Sequence, residues 1–189
     1  MCGYTTMTLR KIRRAVNYQR KNAIKRFRKE RLINHLAKPG IHDFIIVLDH
    51  LKPLYNIGKI FRSADAFGAR EVHLVGIDFF DPAPAMGSFK WVPAKFHQEF
   101  ATCYKELIQN GYALFTMDPS GGDALATVGI PARSAFIFGH EEYGFSFNPD
   151  EYGGMQSVLI PQVGKVDSLN VSIAASIVMY EYLRQHKKS

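Results

Sequence analysis

From residue 44 onward, short apolar runs alternate with stretches in which apolar residues recur every three or four positions. No other feature constrains the fold as much. Phe44–Asp49 is a continuous apolar run closed by an acid, the pattern of a strand buried on both faces. Residues 56–67 place Ile57, Ile60, Phe61, Ala64 and Phe67 on one helical face, with Asn56 expected as the cap and Gly68 as the stop. Further strands are expected at 71–76, 112–117, 134–138 and 157–160, with a helix over 95–109 and a long terminal helix over 170–186. The Pro-rich stretch 77–93 reads as a loop with room for a short helical turn. Strands separated by helices imply an α/β fold, a mostly parallel sheet with helices on both faces. Ligands of such sheets bind beyond the carboxyl ends of the strands. That points to the loops after Asp49, Phe138 and Ile160.

The amino-terminal segment is different. The 189-residue chain has a formal net charge of +7. Residues 1–40 hold twelve Lys and Arg against one acid, Glu30, whereas residues 41–189 hold twelve basic and sixteen acidic residues. The positive charge therefore belongs to a basic N-terminal extension, 1–40, and the rest of the chain, 41–189, is mildly acidic. A basic block of this kind suits nucleic acid, and a solvated tail is the plainer alternative. Within it Ile12, Val16, Ala23, Ile24 and Phe27 form a weak helical stripe. No apolar run reaches the ~18 residues of a membrane helix, and no secretory apolar region precedes the first charges. Cys2 and Cys103 make no disulfide framework, so the expected compartment is the cytoplasm.

Each expected strand end carries unusual residues. The first reads Asn56-Ile-Gly58-Lys-Ile-Phe-Arg62-Ser-Ala-Asp65-Ala-Phe-Gly68. Arg62 lies off the apolar stripe, free to serve a site or to pair with Asp65. The second reads Gly139-His-Glu141-Glu142-Tyr-Gly144, where the glycine lets a ligand approach the backbone. The third runs Ile160-Pro-Gln-Val-Gly164, then Ser168-Leu169-Asn170-Val-Ser172, with Ser168 or Asn170 as a helix cap. Nucleotide loops of the G-x-G-x-x-G and G-x-x-x-x-G-K-[ST] types are missing, as is a G-x-S-x-G elbow. The seven histidines show no H-x-x-x-H or H-E-x-x-H spacing, so no metal site is indicated.

Taken together, the three segments resemble the SpoU/TrmH family of RNA ribose 2′-O-methyltransferases, within the SPOUT superfamily. The resemblance covers about residues 41–185, with the arm outside it. It implies a deep trefoil knot at the C-terminal end of the sheet and a homodimer with the active site at its interface. It implies S-adenosylmethionine (AdoMet) as cofactor, touching Phe115, Thr116, Met117, Gly139, Ile160, Ser168 and Leu169. It implies Arg62, Asn56, Glu141, Ser168 and Asn170 as catalytic residues acting on an RNA 2′-hydroxyl. Because guanidinium stays protonated, Arg62 is read as an electrostatic stabiliser and phosphate clamp rather than a base, with Asn56 orienting it or the ribose. The small apolar face of the last helix, Ala174, Ala175 and Val178, is expected at the dimer contact. Gln162 stands where the family commonly has Met, a change placed to alter the adenine pocket or that contact. The chain has little room for a separate RNA-binding domain, which favours tRNA over rRNA as substrate. The alternatives are an RNA-binding module of the same fold without methyl transfer, and a different nucleotide-dependent α/β enzyme.

Overall fold

The computed structural model describes residues 3–52, 54–166 and 168–186, with side chains from residue 11 onward; Cys2 lies outside the described residues. Seven strands, β1 (Phe44–Asp49), β2 (Glu71–Val75), β3 (Ala94–His97), β4 (Ala113–Met117), β5 (Asp123–Ala124), β6 (Ser134–Phe138) and β7 (Met155–Leu159), form one sheet. Their order is β3-β2-β1-β6-β4-β7-β5, and every pairing between these strands is parallel. Four helices, α1 (Gly3–Asn34), α2 (Tyr55–Ala66), α3 (Phe100–Gln109) and α4 (Val171–His186), complete the fold. Among the described residues no helix is long and apolar enough to cross a membrane.

The sheet is covered on both faces. Phe44, Ile46 and Leu48 of β1 point into a core shared with α2 and α4, and Ile45 and Val47 point into a second core under α3. Alternate residues of a strand face opposite sides, so the apolar run Phe44–Leu48 of β1 follows from burial on both. Each such side chain contributes on the order of 1.5–3 kcal/mol by leaving water. Helix α2 ends where expected, with Gly68 at φ +65.

Three local expectations are corrected. The helix expected over 95–109 begins only at Phe100, because residues 94–97 pair with β2 as the edge strand β3. Asn56 is not a cap: α2 starts at Tyr55 with Leu54 in the cap position, and Asn56 is buried inside the helix. Ala175 and Val178 are fully buried in the chain's own core and so do not face a partner, while Ala174 is partly buried against that core and lines the cavity described below.

The basic segment is a 32-residue helix, about 48 Å long. Its last turns dock on the domain. Phe27 packs edge-on to Phe79, Phe80 and Phe96 and stacks on Phe89 at 5.7 Å. The Asn34 amide donates to Phe89 O at 2.6 Å and Val92 O at 2.7 Å, while its Oδ1 accepts from Ala94 N at 3.1 Å. Farther toward the amino terminus, Ile12 and Val16 are exposed.

Candidate active site

The loops after β1, β6 and β7 meet at one carboxylate. The Asn56 amide, carried by α2, donates to Glu141 Oε1 at 2.8 Å. The Asn170 amide donates to the same oxygen at 3.4 Å and to Asn56 Oδ1 at 3.3 Å, and Val171 N reaches Glu141 Oε1 at 3.5 Å. Asn170 is also the cap of α4: its Oδ1 accepts from Ser172 N and Ser172 Oγ, and its carbonyl accepts from Ile173 N and Ala174 N. One carboxylate thus fixes the start of α2 relative to the start of α4. Asn56 is fully buried, and its amide is engaged with Glu141.

A second carboxylate, missed from the sequence, ties the first loop to the second. Asp49 is fully buried and accepts from Ser146 N at 2.6 Å, Ser146 Oγ at 2.8 Å and His50 Nδ1 at 2.9 Å. The clue was an acid closing an otherwise apolar buried strand, since a buried carboxylate requires donors. The loop between them closes on itself: His140 N donates to Gly144 O at 2.7 Å and Gly144 N returns to His140 O at 3.0 Å. A Cβ on Gly139 would stand 2.6 Å from Gly144 O, so only glycine permits this closure.

Beside the Glu141 junction lies a cavity of about 370 Å³, between the carboxyl ends of β4, β6 and β7 and the start of α4. Met117, Gly139, Ile160, Ser168 and Leu169, which the resemblance implies as cofactor contacts, line it, and so does Glu141, implied there as a catalytic residue. Phe115 and Thr116 do not; they are buried within β4. Asp118, Ser120 and His140 line it as well and were not singled out, and Gln162, noted for its departure from the family, lines it too. Arg62 is elsewhere: it is exposed on α2, does not line the cavity, and makes neither an ion pair with Asp65 nor another side-chain hydrogen bond among the described residues.

The cavity fits a nucleoside-bearing cofactor. Its size falls at the lower end of small-molecule sites, roughly 300–1,000 Å³, and its wall is mostly apolar with a few polar groups, as such sites require. Gln162 Oε1 is buried there with no hydrogen-bond partner among the described residues. It is an acceptor placed to take an amino group such as adenine's.

An open parallel α/β sheet with a cavity at its strand carboxyl ends, and three loops locked at that cavity's mouth, defines a protein that holds a small ligand against the sheet edge. Residues 43–180 match the model of the SpoU rRNA Methylase family, and the chain belongs to that family. It is similar to a tRNA (guanosine(18)-2′-O)-methyltransferase of Thermus thermophilus, 28% identical over 85% of this chain and 84% of that protein. It is similar to the 23S rRNA (guanosine-2′-O-)-methyltransferase RlmB of Nitrosomonas europaea, 30% identical over 84% of this chain but only 62% of that protein. Among solved structures, an AdoMet-bound rRNA methyltransferase from Sinorhizobium meliloti superposes with a TM-score of 0.70 at 26% identity, over 83% of this chain and 61% of that one.

Proposed function

We infer that this chain is an AdoMet-dependent RNA 2′-O-methyltransferase, and we propose that it acts on tRNA ahead of rRNA. The observation that carries the reading is the meeting of Asn56, Glu141 and Asn170 at the mouth of the apolar cavity. It joins three segments that are separated in sequence and are quoted above as one family's motifs. The tRNA preference is supported by the span of the likeness, which covers 84% of the Thermus tRNA enzyme and 62% of the Nitrosomonas rRNA enzyme.

AdoMet, when bound, supplies an electrophilic methyl group on a sulfonium. The chain supplies position and charge. The backbone at Met117, Gly139, Ile160 and Leu169 holds the cofactor along the strand ends. Gln162 Oε1 accepts from its adenine amine. Asn56 and Asn170 keep Glu141, and with it the Gly139–Gly144 loop, in place. Arg62 would grip an RNA phosphate and stabilise the alkoxide that develops as the ribose hydroxyl gives its proton to solvent water and its oxygen takes the methyl from the sulfonium. Ser168, exposed at the cavity edge, hydrogen-bonds the incoming nucleotide.

The proposal extends to assembly and place. Ile173, Ile177 and Tyr180 are exposed along α4, beside Lys59, Ser63 and Phe67 of the α2 region, an apolar strip suited to a second copy and to an active site completed there. By the same reading the chain around the cavity is knotted, residues 1–40 form an RNA-engaging arm on the 41–189 methyltransferase domain, and the protein works in the cytoplasm.

The test is transfer of a tritiated methyl group from AdoMet to total tRNA and rRNA from a host lacking this protein. Alkali-resistant label at one ribose of tRNA is the expected result, and label in rRNA alone would reverse the substrate preference. Failure both to label RNA and to retain AdoMet would leave the RNA-binding module as the reading.

A further inference from the structure

Under α3, among residues that do not line the cavity, three side chains of metal-binding type share one buried spot. His73 of β2 and Cys103 of α3 are fully buried, and His97 at the end of β3 nearly so. His73 Nδ1 lies 3.1 Å from His97 Nε2 and 3.4 Å from Cys103 Sγ, and all three donor atoms lie within 4.8 Å of one another. On the opposite edge of the ring, His73 Nε2 meets Glu71 Oε1 at 3.1 Å. Glu71 in turn is held by Lys95 Nζ at 3.0 Å. Residue spacing could not announce this group, because positions 73, 97 and 103 come from three different elements.

The lone-pair count makes the cluster unusual. The Glu71 carboxylate accepts a proton-bearing nitrogen, which fixes the hydrogen of His73 on Nε2 and leaves Nδ1 with a single lone pair. Two groups, His97 Nε2 and Cys103 Sγ, converge on that one lone pair. As a hydrogen-bonded network the trio is crowded on one side, and one of the two donors is left poorly matched. As a coordination set it has no conflict, since each of the three atoms presents one lone pair to a common centre. A tetrahedral zinc with nitrogen at about 2.0–2.1 Å and sulfur at about 2.3 Å spaces its donors about 3.3–3.6 Å apart, within a few tenths of an ångström of the separations from His73. The carboxylate behind a ligating histidine is the arrangement that orients imidazole on a metal.

We propose that His73 Nδ1, His97 Nε2 and Cys103 Sγ form a binding site for a divalent cation of the zinc class, with Glu71 as the positioning carboxylate and a solvent oxygen in the fourth place. Binding replaces the Cys103 thiol hydrogen with the metal and releases one proton to solvent. The site pins β2, β3 and α3 together at the sheet edge. It is independent of the methyl-transfer reading, so either can fail alone.

The test uses the full chain, stripped of metal with a chelator and titrated with Co²⁺. The expected result is one equivalent bound with thiolate-to-cobalt charge-transfer absorption and tetrahedral d–d bands, displaced by Zn²⁺, and a Tm raised by Zn²⁺. Cys2→Ser should keep the charge-transfer band and Cys103→Ser should lose it, with circular dichroism checking that each variant folds. Glu71→Gln should weaken affinity by about 10- to 100-fold. Unaltered protein that shows no charge-transfer band, and a Tm unmoved by Zn²⁺, overturns the proposal without any variant. A band that follows Cys2 overturns it too.

Discussion

The molecule contains two polar clusters built from distant residues, and they are organised in opposite ways. The Glu141 junction is assembled by loops, opens onto a cavity, and joins side chains to backbone groups at the ends of strands. The His73 cluster is assembled by β2, β3 and α3, is buried where Cys103 joins the core of Leu107, Phe100 and Val75, and consists of side chains alone. In the first, substitutions should be felt by ligands before they are felt by the fold. In the second the order should reverse.

The sharpest way to break that contrast lies on the closed side. Leu107→Ala, which hollows the core over the cluster, should cost about 2–5 kcal/mol in denaturant unfolding and leave AdoMet affinity unchanged in the folded fraction. A parallel loss of AdoMet binding would mean the two regions are not separable. On the open side, Arg62→Ala should lower methyl transfer about 10²–10³-fold with Tm and AdoMet binding nearly intact, since the side chain is exposed and makes no ion pair or side-chain hydrogen bond among the described residues. Loss of cofactor binding with activity would refute its role. Asn56→Ala should be intermediate, because Asn56 is buried and yet holds the junction. We expect about 1–3 kcal/mol of lost stability together with weaker AdoMet retention in equilibrium dialysis. Gln162→Met should raise the AdoMet Kd about tenfold at unchanged stability, and an unchanged Kd would remove the adenine contact.

The smallest effect serves as a control at the amino edge of the sheet. Burial acts to raise the Asp43 carboxyl, but hydrogen bonds from Tyr112 and Arg133 outweigh it, and its pKa lies below the usual 3.8. A depressed folded-state pKa contributes stability above the unfolded value that is lost as pH falls through the folded one. The gap in urea midpoint between the unaltered protein and Asp43→Asn should therefore shrink on acidification below about pH 4, with no change at either cluster.

The same contrast explains what the sequence revealed. Strand β1 was legible to the residue, and β6 likewise, because burial on both faces leaves an uninterrupted apolar run that nothing else mimics. The open site was legible because strand-end loops need particular residues: a glycine at 139 where no Cβ fits, and an asparagine at 170 to cap α4. Edge strand β3 was not, since four residues, Ala-Lys-Phe-His, suit either period and only β2 decides between them. Asn56 was read as a cap because caps are the commoner use of Asn before a helix. Its partner Glu141 lies 85 residues away and leaves no local trace. The closed cluster was hidden for the same reason.

The uninterrupted course of α1 has a consequence of its own. A continuous helix clamped at one end behaves as a ruler with a phase. Phe27 and Asn34 fix that end, so Arg14, about 20 residues before Asn34, stands about 30 Å from the clamp at one set azimuth. A single residue inserted near Asn22 would turn every preceding side chain by about 100° while moving it only about 1.5 Å along the axis. Four inserted residues would nearly restore the azimuth and lengthen the reach by about one turn. Whatever the basic face meets, its distance and its angle are set separately.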